Sequence, residues 1–513
     1  MQCILITDSI ILAEKYRTSQ QYVIELIQKN IQIFNETCEV LFLDAADYFD
    51  ELCIDNTPSS YHSIIIDFVK GMGLSFSPSL SVFILGGDDV IPMYRFDNPV
   101  QEGVVITTDY FYSFSSFEDC IDADLALFNV GRLPMENGIM PTSIKDDLQS
   151  YFNLVAMFFS IGIDVDRVVM TSAESFLPAS IEMVDGLPVE TPVHIPNATR
   201  DNLYVSPNLT IEDEFIAAQY TKGLENADML LFNLHGSDVP RYSSFYGEGV
   251  SGHNTPEAYS IGLLKSCNTR IFNTVACFGG RFIGYNRTSS MVLSALYGNG
   301  VLLFAGSSVC ALGRHGQIFD EVQGKYVSSG MSEIFMKLYS QYLLRGLSAG
   351  EAFLRAKCDY YNSSVHLDGL ECALATILMF NLFGMPALQV NPKGDVAIDD
   401  YLEKNVHNTF SAKDLASYAN VYQKNESGSS SILEKVRSSV DHNLLEIRKR
   451  VQSKLYDTWG LHPDNLSRVE EISKNGAQCG FRFEYSSKSN LIDKRIFAYT
   501  DCSGNIKDLI HLK

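Results

Sequence analysis

The sequence predicts an α/β protein, with mainly parallel sheets flanked by helices and a small α+β module at the C-terminal end. Three observations carry this. Short apolar runs such as Ser81–Leu85, Met229–Leu234 and Arg270–Val275 stop at turn residues, as strands buried on both faces do. Between such runs lie segments with apolar residues three and four apart, such as Ala13–Phe34 and Ile144–Ser160, the period of covering helices. After about residue 430 the rhythm changes to one helical segment followed by alternating runs.

The elements follow in order. Cys3–Thr7, Val40–Leu43, Ser81–Leu85 and Leu125–Phe128 read as strands, with helices over Ala13–Phe34 and Tyr61–Met72. This strand–helix alternation implies a parallel sheet covered on both faces, and we bound the first unit at residues 1–140. A second unit, residues 141–395, repeats the rhythm. It has a helix at Ile144–Ser160, strands at Arg167–Thr171, Met229–Leu234, Arg270–Val275 and Gly300–Ala305, and helices at Met331–Leu344 and Ser348–Tyr361. Residues 396–430 have linker composition, ending in Ser427-Gly428-Ser429-Ser430. In the module, residues 431–513, Leu433, Val436, Val440, Leu444, Ile447, Val451 and Leu455 line one helix face, and strands follow at Phe481–Tyr485, Ile496–Tyr499 and Ile506–Leu512.

Bulk properties exclude several functions. The chain has 513 residues and a net charge of −23, which makes nucleic acid an unsuitable partner. The module carries 14 Lys+Arg against 11 Asp+Glu, a net +3, so the rest carries −26. That asymmetry suits docking of the module on the acidic body or on a regulatory protein. The 11 cysteines are odd in number and lack Cys-x-x-Cys spacing, which argues against a disulfide framework or a zinc site and for reduced thiols in the cytoplasm. Met1–Asp8 enters a strand at once, with no basic or cleavable apolar segment. The apolar stretch Ala373–Phe383 is too short to span a bilayer and reads as a core helix or a helix-to-strand junction.

Reactive side chains stand at two strand ends. Met229–Leu234 stops at His235-Gly236, and Arg270–Val275 stops at Ala276-Cys277, 42 residues further on (277 − 235). Alone, His235 reads as a satisfied core or turn histidine and Cys277 as a small buried hydrophobe. Together, at the carboxyl ends of parallel strands, they read as a nucleophile and its base. Other motifs are weaker. Gly86-Gly87-Asp88 lacks the spacing of a phosphate loop, and Gly324-Lys325 has Phe319 where the first glycine should stand. Gly249-Val250-Ser251-Gly252-His253 misses the last glycine of a serine-hydrolase elbow. The carboxylates of Glu118–Asp124 suit a structural calcium or a solvated loop equally. No cofactor is needed for thiol chemistry.

His235-Gly236 and Ala276-Cys277, each after an apolar strand, resemble the signature of the caspase-like cysteine peptidases. Further blocks resemble the gingipain family within that clan: Phe83–Pro92, Asp109–Tyr112, Asp124–Ala126, Gly131–Pro134 and the closing Gly384–Leu388, where Met385 stands in place of an aspartate. The likeness covers residues 1–392. It implies two caspase- or gingipain-like α/β subdomains and a thiol endopeptidase acting on protein or peptide substrates. Cys277 is then the nucleophile, His235 the base, and the N–H groups of Gly236 and Cys277 the oxyanion donors. The segment Thr171–Glu174 resembles the one carrying the glutamate that orients the histidine, which assigns that role to Glu174; by itself Glu174 reads as a surface or capping carboxylate. Counting forward from Glu174 puts the carboxylate of a basic-residue pocket at Asp185, or one turn earlier at Glu182, with Leu312 as its apolar wall. An ordinary helix surface accounts for Asp185 and Glu182 as well. The competing expectation is a catalytically silent caspase-like adaptor or regulatory subunit.

Overall fold

The computed structural model describes residues 2–34, 38–48, 56–184, 187, 203–206, 222–237, 243–248, 256–265, 267–314, 317–320, 325–328, 330–392, 451, 466–474, 477–488, 493–501 and 506–512. Ten strands form one sheet: β1 Gln2–Thr7, β2 Glu39–Asp44, β3 Ser81–Leu85, β4 Asn129–Leu133, β5 Val168–Ala173, β6 Leu203–Ser206, β7 Met229–Asn233, β8 Ile271–Thr274, β9 Leu303–Ser307 and β10 Phe380–Gly384. Their order across the sheet is β2-β1-β3-β4-β10-β9-β8-β7-β5-β6. Neighbours are parallel except β9 and β10, which are antiparallel. The sheet therefore consists of two parallel halves laid in opposite directions. Gly86–Asp89, after β3, lies at the opposite edge from His235 and Cys277, after β7 and β8.

The division expected at residue 140 falls inside this sheet, and one apolar core runs through both halves, from Cys3 to Val390. The seam between them is tight. Gly384 has φ of 110°, and a Cβ there would lie 2.0 Å from the Leu302 carbonyl oxygen, so only glycine fits. The Tyr151 hydroxyl accepts the Met385 N–H and donates to the Leu302 carbonyl, both at 2.8 Å. Met385, where the gingipain family has an aspartate, is fully buried. On the first half, buried Arg132 holds Asp109 through two 2.7 Å bonds and donates to the carbonyls of Gly86, Gly87 and Ile91. The Gly86–Ile91 loop is thus fixed by an internal cation.

Among the described residues, ten helices flank the sheet: α1 Ser9–Lys15, α2 Gln20–Phe34, α3 Pro58–Gly71, α4 Ile144–Ile161, α5 Leu177–Val184, α6 Ile261–Leu264, α7 Met291–Gly298, α8 Ser332–Leu344, α9 Ala349–Asp368 and α10 Leu370–Met379. Two expectations shift. The helix expected over Ala13–Phe34 is two, because Arg17 takes a φ of 52° and breaks the ladder. The strand expected at Leu125–Phe128 begins at Asn129, because the Asp122 side chain accepts the Asp124 N–H and closes the 3-10 turn Ala123–Leu125. Ala373–Phe383 is the junction of α10 with β10. Among the described residues, no helix is long and apolar enough to cross a membrane.

At the C-terminal end, Leu466–Lys474, Ala477–Lys488, Asp493–Asp501 and Ile506–Leu512 make an antiparallel sheet. Its last strand pairs with Leu312–Arg314 of the body, Leu312 opposite Leu512 and Arg314 opposite Ile510. Phe497 and Ile510 join the body's core, while Val451, Phe483, Tyr485 and Ala498 form a small core of their own. The expected linker at 396–430 and, apart from Val451, the expected helix face Leu433–Leu455 lie outside the described residues.

Candidate active site

β7 and β8 are adjacent and parallel, with Phe232 opposite Thr274 and the Val275 N–H donating to the Phe232 carbonyl at 2.9 Å. Both chains therefore leave the sheet side by side. A Cβ on Gly236 would lie 1.7 Å from the Cys277 carbonyl oxygen and 2.9 Å from its nitrogen, so the backbones of Gly236 and Cys277 are in direct contact. His235 is held by a reciprocal pair of bonds with Tyr246, N–H to carbonyl at 2.9 Å in each direction.

Cys277 lies at the start of a sharp turn. Phe278 has φ of 57°, which costs a non-glycine residue roughly 1–2 kcal/mol. Bonds from Phe278 N–H to the Val309 carbonyl and from Gly280 N–H to the Ser307 carbonyl, both 2.9 Å, hold it there. Strained backbone of this kind is concentrated at functional sites. The thiol is 2% exposed, and its Sγ accepts the Ala311 N–H at 3.3 Å.

The His235 imidazole is fully buried, and its Nε2 lies 2.7 Å from Oε2 of Glu248, whose side chain is 5% exposed. Ser175 braces that carboxylate: its hydroxyl donates to the same oxygen at 3.0 Å, and its N–H donates to the Glu248 carbonyl at 3.2 Å. The Phe176 ring packs on the imidazole, with centroids 4.8 Å apart. A carboxylate on one ring nitrogen fixes the tautomer and favours the protonated ring. Cys277 and the His235–Glu248 pair thus follow the ends of two adjacent parallel strands, residue types that nucleophilic acyl transfer uses.

The remaining candidates fall elsewhere. Glu174, half-buried, opens the 3-10 turn Glu174–Phe176, and the carboxylate on the His235 ring is Glu248. The chain turns at Glu174, so its neighbour Ser175 reaches the pair. Nothing in the sequence singles out Glu248, which is 13 residues beyond His235 and comes back through the hairpin of Ser244–Tyr246 with Glu257–Ser260. Glu182, on α5, accepts from the buried Lys337 of α8 at 2.8 Å, so its carboxylate serves an internal ion pair rather than a substrate cation. Asp185 lies outside the described residues. Leu312 is fully buried, and its strand is paired by the terminal one. In the stretch 118–124, Asp119 accepts from the Ser115 hydroxyl and Asp122 caps Asp124. Among the described residues, no three His, Cys, Asp or Glu side chains are grouped as a cation site.

A shallow cleft, open to solvent, lies over Cys277. Ser237, Phe245, Phe278, Arg281 and Tyr285 are among the residues that line it.

No family model matches this chain, and no curated protein does. A solved structure described as "Structure of Protease" is similar over 99% of this chain and 96% of its own length, at 10% identity and a TM-score of 0.47.

Proposed function

We propose that the chain is a cysteine endopeptidase of gingipain-like type, working through Cys277 and His235. The observation that carries the reading is the contact of Gly236 with the Cys277 backbone, which sets the two strand ends together. The Cys277 thiolate attacks the peptide carbonyl carbon; the S–C bond forms as the carbonyl electron pair moves to oxygen. With Nε2 held by Glu248, proton exchange with the thiol falls to Nδ1 of His235. The imidazolium then protonates the leaving amine as the C–N bond breaks, and water hydrolyses the thioester. The N–H groups of Gly236 and Cys277 are the proposed oxyanion donors. Glu248 takes the orienting role that the resemblance gave to Glu174. A preference for basic residues loses Glu182 to its bond with Lys337, and the described cleft residues include no carboxylate to replace it.

One observation favours a second reading, a silent regulatory subunit: the thiol is nearly inaccessible and already holds the Ala311 N–H. The test is cleavage of an unstructured protein by the purified full chain and by Cys277→Ala, together with labelling by a peptide electrophile. Cleavage lost in the variant, with label on Cys277 in the wild type, supports the peptidase. Equal cleavage by both proteins ends it, and a wild type that neither cleaves nor labels is the regulatory subunit.

A further inference from the structure

Among the described residues, the cation in the cleft over Cys277 has no counter-ion. Arg281 stands four residues beyond Cys277, where its N–H donates to the Phe278 carbonyl at 3.0 Å and completes the turn. Its guanidinium carbon lies 5.3 Å from the Phe278 ring centroid and 5.1 Å from that of Tyr285. Among the described residues, the guanidinium makes no hydrogen bond and no ion pair. Other arginines of the body meet carboxylates: Arg132 meets Asp109, Arg287 meets Asp147 and Arg355 meets Glu351. Arg281 is instead left to two rings. Among the described residues, the cleft walls add five serine hydroxyls and no carboxylate.

Five N–H donors on a planar group match a carboxylate bidentately. Contact with two rings limits the guanidinium's freedom in advance, so less entropy is lost when an anion arrives. An anion there also returns the counter-charge that the cleft itself lacks. We propose that Arg281 is a specificity-determining residue that receives a carboxylate of the substrate, an Asp or Glu side chain close to the scissile bond. This rests on the reading of Cys277 as nucleophile. It also reverses the sign of the pocket expected from Asp185 and Glu182.

The test compares alkylation of Cys277 by iodoacetate and by iodoacetamide, reagents that differ in charge and hardly in size. In both, the thiolate forms the S–C bond at the methylene and iodide leaves. Rates are read by mass spectrometry of the Cys277 peptide in the full chain, in Arg281→Gln and in Arg281→Lys. A charge-assisted hydrogen bond is worth about tenfold or more in the ratio of the two rates. The iodoacetate-to-iodoacetamide ratio should fall about tenfold in Arg281→Gln, hold better in Arg281→Lys, and decline with added salt in the wild type. A ratio equal in wild type and Arg281→Gln overturns the proposal and leaves the nucleophile intact. No reaction of Cys277 with either reagent removes the nucleophile and the proposal with it. Peptide pairs with internal Glu or Gln, each with a free or amidated C-terminus, then identify the carboxylate. A preference for Glu that Arg281→Gln abolishes supports a side chain; a preference that follows only the free C-terminus overturns it.

Discussion

Nε2 of His235 and Oε2 of Glu248 are 2.7 Å apart, both nearly out of reach of solvent. An imidazole held this way keeps one tautomer and one orientation, and its protonated form has a partner. Glu248→Gln keeps the shape but loses the charge. It should reduce kcat/KM on the order of 10²-fold or more, with a smaller effect on KM. Glu174→Gln should cost far less, since the carboxylate 2.7 Å from the His235 ring is that of Glu248. A steady-state comparison of the two variants decides. A larger loss in Glu174→Gln would restore the assignment made from the resemblance.

Gly236→Ala should fail for a steric reason. Its Cβ would fall 1.7 Å from the Cys277 carbonyl oxygen, and that neighbour is backbone, which cannot swing aside. Overpacking of this sort costs about 1–3 kcal/mol, and relief here must move Cys277 itself. We expect a lower melting temperature together with loss of turnover and of selective Cys277 labelling. Turnover close to wild type would mean that the two strand ends are not in contact.

The strands that bear chemistry were legible because they are uninterrupted apolar runs stopped by short turn residues. Met229–Asn233 and Ile271–Thr274 needed no tertiary information. The opposed direction of the two half-sheets was not legible. A strand buried on both faces reads alike whether it is parallel or antiparallel, so Phe380–Gly384 gave no sign of running against Leu303–Ser307. β6, Leu203–Ser206, is a four-residue strand within an irregular stretch and escaped notice for that reason. Glu248 reaches His235, and Arg281 reaches the cleft over Cys277, only through tertiary contact. A glutamate in a glycine-flanked loop and an arginine after Gly279-Gly280 carry no local pattern that would mark them. The linker-like composition at 425–431 suggested a detachable module, but the pairing of Leu312–Arg314 with Ile510–Leu512 joins segments about 200 residues apart that no local signal connects.

That pairing couples the C-terminal sheet to Cys277. Ala311, whose N–H rests on the Cys277 sulfur, is the residue before the paired strand. Ile510 is 1% exposed and lies in the body's core. Ile510→Ala should lower stability by about 2–5 kcal/mol in denaturant titration. It should also speed iodoacetamide alkylation of Cys277, because the strand that fixes Ala311 is loosened. Proteolysis between residues 306 and 316 should quicken in parallel. An unchanged alkylation rate in a clearly destabilised variant would show that the sheet stabilises the body without acting on the thiol.

Lys357 supplies a pH dependence of stability. It is fully buried on α9, donates to the Phe380 carbonyl at 2.7 Å, and lies 4.2 Å from the Tyr110 ring centroid. Burial pushes its pKa down to about 7 from an ordinary 10.5, although the negative surroundings of Cys358 and Asp109 pull the other way. Between those values the unfolded chain binds a proton that the folded chain releases, so stability rises with pH across that window. Below about 7 both states are protonated, and the buried ammonium imposes its full cost. Lys357→Met removes the titration, with methionine filling similar volume. The wild type should therefore gain melting temperature relative to the variant as pH is raised from about 6.5 to about 9.5. Comparing the two proteins at each pH cancels the groups they share. A difference that stays constant over that range would mean that Lys357 keeps its proton when buried, held by the Phe380 carbonyl and the Tyr110 ring.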